Sequence, residues 1–131
     1  GNLAWSPVIA EDILKLLNGK IYLIPGEYDD ASKNVAKHFT NKLYIMPDSI
    51  FKDDALKCVF SHWPLANWPG RNKNLFHFHG QTLNRMKTDL TKMKRINACT
   101  DNWNFTPQPI TSTIEMLKNF KKKQKNTLGS E

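Results

Sequence analysis

At 131 residues the chain has room for one domain. Its 40% hydrophobic, 24% charged and 11% aromatic residues exclude wholesale disorder, and no apolar run approaches the roughly 20 residues of a membrane span. Nineteen Lys and Arg against twelve Asp and Glu give a net charge of +7, and two cysteines exclude a disulfide framework, which sets the expectation of a reducing, cytoplasmic location.

Ser6-Pro7 opens a first helix, with Ser6 as the cap and Pro7 at the first helical position, where its missing N–H has no intrahelical partner. Ile9, Ile13, Leu16 and Leu17 form its apolar stripe, and Asn18-Gly19 ends it in a left-handed cap. Ile21-Tyr22-Leu23-Ile24 is a continuous apolar run, the pattern of a strand covered on both faces. It empties into the turn Pro25-Gly26-Glu27-Tyr28-Asp29-Asp30, and Asp30 caps a second helix over 31–39 with Val35 and Phe39 inward. Residues 43–46 predict a strand, 49–51 and 56–61 a hairpin around Lys52-Asp53-Asp54-Ala55, and 62–73 a long loop. Strands follow at 75–79 and 95–99, separated by the irregular stretch 81–91. A segment rich in aromatics covers 101–109, and a last helix starts at 110–112 with Ser112 and Glu115 as a capping box. Ile114, Leu117 and Phe120 face inward there, and a basic, disordered tail is expected over 121–131. The order of elements predicts a layered α/β domain over 1–120, with parallel early strands.

Charge is uneven. Residues 1–60 are close to neutral, whereas twelve of the nineteen basic residues follow residue 60, among them Arg85, Lys87, Lys92, Lys94, Arg95, Lys118 and the lysines of the tail. A solvated helix face with a basic end accounts for this, and so does contact with nucleic acid or a phosphate-bearing ligand.

In open α/β sheets, sites form at the carboxyl ends of strands. Gly, carboxylates and histidines stand at those positions here, a set suited to a metal with mixed nitrogen and oxygen ligands. Each residue also has a plain structural role open to it. Glu27, Asp29 and Asp30 fit turn and cap positions; His77 and His79 alternate on one strand face and fit hydrogen-bonded core positions; His38 fits a helix surface. His62, directly after a strand, is the best ligand or base. Cys58 and Cys99 read as small hydrophobes, and Trp63, Trp68 and Trp103 as packing or cleft residues.

In order, Gly1-Asn2, Ile24-Pro25-Gly26-Glu27-Tyr28-Asp29-Asp30, Val59-Phe60-Ser61-His62-Trp63-Pro64, Phe78-His79-Gly80-Gln81-Thr82-Leu83-Asn84 and Arg95-Ile96-Asn97-Ala98-Cys99-Thr100-Asp101 with Trp103 resemble the loops of the calcineurin-like metallophosphoesterases, within them the small bacterial and phage members. These pieces match the family's Gly-Asp, Gly-Asn-His-Asp, Ser-His-x-Pro, His-Gly-His-Thr-His-Asn and closing Asn-Val-x-x-Asp-x-Trp segments. The resemblance covers about 1–120. It implies an α/β/α sandwich with a mixed sheet, here lacking its first strand and the Asp-x-His motif that strand carries. The expectation is of a chain without its natural beginning.

The departures fall on the chemistry. The bridging Asp is Asn2, the Asn ligand is Glu27, the His that assists the leaving group is Tyr28, and two His ligands are Gln81 and Leu83. Only His62 matches a metal-ligand position; Asp29 and His79 match neighbouring motif positions. Losing one ligand costs about 10–100-fold in affinity or activity, so losses on this scale imply a degenerate, inactive or severely impaired domain. It needs no cofactor and keeps a cleft for a phosphate-bearing ligand, with His62, His79, Asn84 and Arg85 at its mouth. The alternatives are an active phosphodiesterase fragment using Glu27, Asp29, His62 and His79 to hold Mn, Fe, Ni or Zn, and a basic module binding nucleic acid or nucleotides. No membrane partner is expected. The exposed edge near 21–24 predicts self-association.

Overall fold

The computed structural model describes residues 3–80 and 94–128, with side chains described as far as Asn119. The protein is mixed α/β. In chain order it consists of α1 (Pro7–Leu16), β1 (Ile21–Leu23), α2 (Asp30–Ala36), β2 (Leu43–Ile45), β3 (Ile50–Asp53), β4 (Cys58–Ser61), β5 (Phe76–His79), β6 (Arg95–Asn97) and α3 (Ile110–Leu128), with single 3-10 turns at Arg71–Lys73 and Thr100–Asn102. The strands form two sheets, β1-β2 and β3-β4-β5-β6. The chain divides into two compact units, 1–51 with 60–62, and 52–59 with 63–131. No helix among the described residues is long and apolar enough to cross a membrane.

In the first unit, α1 begins as its sequence dictates. Ser6 is extended, its Oγ accepts from Ile9 N at 3.3 Å, and Pro7 follows at the first position. The buried stripe is Ala10 and Leu14, flanked by Ile9 and Ile13, whereas Leu16 is 83% and Leu17 40% exposed. The predicted stripe therefore runs one turn too far: residues 9, 10, 13 and 14 already fill the inward face. Leu17 caps the helix in an extended conformation, and the left-handed residue, Gly19 at φ 77°, comes two positions later.

β1 and β2 are parallel as predicted, with Ile21 opposite Leu43 and Leu23 opposite Ile45. Leu23 and Leu43 join Ala4, Ala10, Leu14 and Val35 in the core. Coverage on both faces is not what the structure has. Tyr22 is 62% exposed and stacks on Tyr44 at 5.2 Å, so alternate residues of the pair face out. Asp29, not Asp30, is the cap residue of α2. Asp30 lies in the first turn, paired with Lys33 at 3.0 Å.

In the second unit β5 is buried along its whole length, as befits a strand between two neighbours, and runs parallel to β6 with Phe78 opposite Ile96. Trp68, Leu75 and Val59 form a core cluster with Leu65. The loop before β5 is folded onto that cluster: Trp68 Nε1 donates to Leu75 O at 3.1 Å and Leu75 N to Gly70 O at 3.1 Å. α3 buries Thr113, Ile114 and Leu117. Its start differs from the predicted capping box, because the hydroxyls of Ser112 and Thr113 both donate to Pro109 O, at 3.1 and 2.8 Å. The helix continues to Leu128, past Lys121, where the sequence reading ends it.

Candidate functional site

The loop after β1 is organised by one carboxylate. Asp29 is fully buried, and its oxygens accept from Leu3 N at 2.8 Å, Gly26 N at 2.6 Å and Ser32 Oγ at 3.3 Å. It thus fastens the N-terminal segment, the Gly26 turn and the start of α2 to one point. A buried carboxylate is tolerable because these donors replace its water. Glu27 and Tyr28, next to it, are exposed.

Ser61 and His62, at the end of β4, are buried, and Trp63 after them is half exposed. On β5, His77 and His79 share one strand face, their rings 5.6 Å apart, and Trp68 lies 5.0 Å from His77. Both imidazoles are pushed down to about 4, first by burial; for His77 the neighbouring His79 and then Arg95 add to the effect, and for His79 Arg95 alone. They are neutral at neutral pH. His79 Nδ1 has no hydrogen-bond partner among the described residues. Arg95 is fixed by donating to Leu65 O at 3.2 Å.

Asn97, opposite His79, is fully buried and accepts from Cys99 N at 3.1 Å; Trp103 Nε1 donates to Asn97 O at 2.9 Å. Asn97 was legible only as a letter of a motif, whereas here it holds the turn after β6. Trp103 is accordingly a packing residue, as is Trp68. Cys58 is buried, its thiol pushed up to about 11 by burial and then by Asp53, and Cys99, raised by burial and its bond to Asp101, donates to that carboxylate at 2.8 Å. Raised in this way, both thiols are held in the protonated form at neutral pH. His38 is exposed.

Among the described residues, no three His, Cys, Asp or Glu side chains come together as a metal site. The donor chemistry agrees. Both oxygens of Asp29 accept backbone or hydroxyl hydrogens, and the Arg95 guanidinium beside the two imidazoles disfavours a further cation. A two-metal centre therefore does not fit the residues described. Asn2, Gln81, Leu83, Asn84 and Arg85 lie outside the described residues. No family model, curated protein or solved structure matches the chain.

Proposed function

We propose that the protein is a metallophosphoesterase-like domain whose metal-ligand positions no longer carry ligands, a binding scaffold of the α/β/α sandwich type. The observation that carries this reading is Asp29. It stands where the resembled family has the Asp of its Gly-Asn-His-Asp loop, and it is engaged by Leu3 N, Gly26 N and Ser32 Oγ. The loop after β1 is thus kept in place by structural bonds, while in the sequence the ligand positions of the resembled motifs carry Asn2, Glu27, Gln81 and Leu83. Metal-assisted hydrolysis needs the ions to generate the nucleophile and clamp the phosphoryl oxygens, so a chain without them does not turn over. The cationic Arg95, opposite His77 at the start of β6, and the neutral His77 and His79 of β5 suit a phosphate-bearing ligand better than a metal. The free thiols Cys58 and Cys99 are in keeping with a reducing cytoplasm.

The test is hydrolysis of a generic phosphodiester with added Mn or Ni, alongside metal analysis of the purified protein. The expected result is background turnover and substoichiometric metal. Metal-dependent turnover that disappears in His62→Ala would overturn the reading in favour of an active fragment.

A further inference from the structure

Basic residues also gather at the starts of three strands, at the end of β5 and β6 remote from His79 and Asn97. Lys57 directly precedes β4, Lys73 and Asn74 lie ahead of β5, and Lys94 directly precedes β6. Phe76 N donates to Lys57 O and His77 N to Lys94 O, each at 3.0 Å, which sets the three strand starts level. Together with Leu117 and Lys118 of α3 these residues line a cavity of about 390 Å³. That is within the ~300–1,000 Å³ usual for small-molecule sites. Four lysines line it, and among the described residues no carboxylate does. Elsewhere lysines sit against carboxylates, as Lys15 does with Glu11 at 2.9 Å and Lys52 with Asp54 at 2.7 Å. Asp54 is near enough to feel Lys57 and Lys73, but Lys52 is its hydrogen-bonded partner.

Backbone conformation adds an independent observation. Lys57, Asn74 and Lys94 have φ of 56°, 66° and 48°. Glycine adopts this left-handed region freely and Asn tolerates it, whereas lysine is strained there. Strained lysines thus stand at two strand starts, both lining one cavity, at positions where glycine would be free of strain. The wall is also pre-organised: Lys94 Nζ donates to Asn74 Oδ1 and stands 5.8 Å from the centre of the Phe76 ring.

We propose that this cavity binds an organic polyphosphate. Its phosphate groups lie among Lys57, Lys73, Lys94 and Lys118, and its flat or apolar body rests against Phe76 and Leu117. Lysine ammonium groups are compact point charges with rotatable donors, suited to phosphate oxygens approaching from several directions. The site is independent of the proposed phosphoesterase-like cleft, since β5 and β6 are parallel and the cavity lies at their amino ends. Either proposal can fail without the other.

The experiment is calorimetric titration of the full chain with magnesium-free ATP, compared with pyrophosphate and a single-stranded oligonucleotide. Saturable ATP binding is expected, weakening steeply between about 50 and 200 mM salt. Lys57→Gly and Lys94→Gly are each expected to weaken it about tenfold, and Lys57→Gly also raises the Tm, because glycine relieves the strain as it removes the charge, whereas Lys94→Gly gives up the Asn74 and Phe76 contacts as well. Lys20→Gln, in the other unit, is the control and changes neither. Absence of ATP binding at low salt, or binding untouched in both glycine variants, overturns the site. Pyrophosphate binding as tightly as ATP overturns the part given to Phe76 and Leu117, and an oligonucleotide that binds more tightly and displaces ATP replaces the small ligand by nucleic acid.

Discussion

Burying two imidazoles on one strand makes folding sensitive to acid. His77 and His79 have pKa values of about 4 in the folded chain against an ordinary value of 6.5. Between those limits the unfolded chain binds protons that the native chain refuses, so stability rises with pH across the window. The contribution is complete above 6.5, is lost as pH falls toward 4, and changes no further below. Each histidine accounts for about 3 kcal/mol at full separation of the two values. Urea unfolding of the native chain and of His77→Gln across this range is the measurement. The variant is expected to show about half the pH slope, and an unchanged slope would mean that His77 titrates in the folded chain as it does in water. The sequence placed both histidines on one strand face, but their role depends on what covers that face, here Trp68 and the loop that carries Arg95's acceptor Leu65. Asp29 shows the same boundary of legibility. A carboxylate after a strand serves a metal or a backbone equally well, and the choice was made by Leu3 N, 26 residues away in the chain.

At the level of elements, local chemistry decided most boundaries. The Ser6-Pro7 start, the apolar run of β1, the parallel pairing with β2 and the strand expected at 75–79 follow from residue type and period, and each is present, the last as Phe76–His79. Ser112 was misassigned because a hydroxyl caps a helix or donates to a carbonyl of the preceding turn with equal ease, and only the position of Pro109 O settles which. Gly70 is another residue whose importance comes from what it meets. It has φ 80°, and a β-carbon there would lie 2.7 Å from Leu75 Cδ2 and 3.0 Å from Cδ1. Leu75 cannot move aside easily, since it is buried against Trp68 and Val59. Gly70→Ala therefore combines left-handed strain with a clash and is expected to cost about 2–4 kcal/mol. Gly19 has φ 77° but nothing within 4 Å of its β-carbon position, so Gly19→Ala carries the strain alone, about 1–2 kcal/mol. Denaturant unfolding of the two variants separates the contributions; equal losses would mean that Leu75 yields without cost.

For the whole molecule, composition foretold a basic chain but not where the charge would act. Lysines counted as a diffuse surplus include Lys94 and Lys118, which the fold brings to one cavity with Lys57 and Lys73. Nor does hydrophobic patterning reveal that the chain divides into two units, because strands of either unit have the same period. The first unit has a consequence for association. Among the described residues β1 pairs with β2 in a two-stranded sheet and has no other strand neighbour. An unpaired strand edge presents N–H and C=O groups to any extended chain that reaches it. Exposed apolar groups accompany it in the same unit, with Tyr22 at 62% and Trp5 at 83%. Concentration-dependent self-association through β1 is the expected outcome, visible by sedimentation velocity at tens of micromolar. Tyr22→Lys is expected to shift the boundary toward monomer while far-UV circular dichroism stays unchanged, because a charge on an exposed strand opposes pairing without touching Leu23 or the core. A strictly monomeric profile of the parent chain at those concentrations would mean that the edge is already protected.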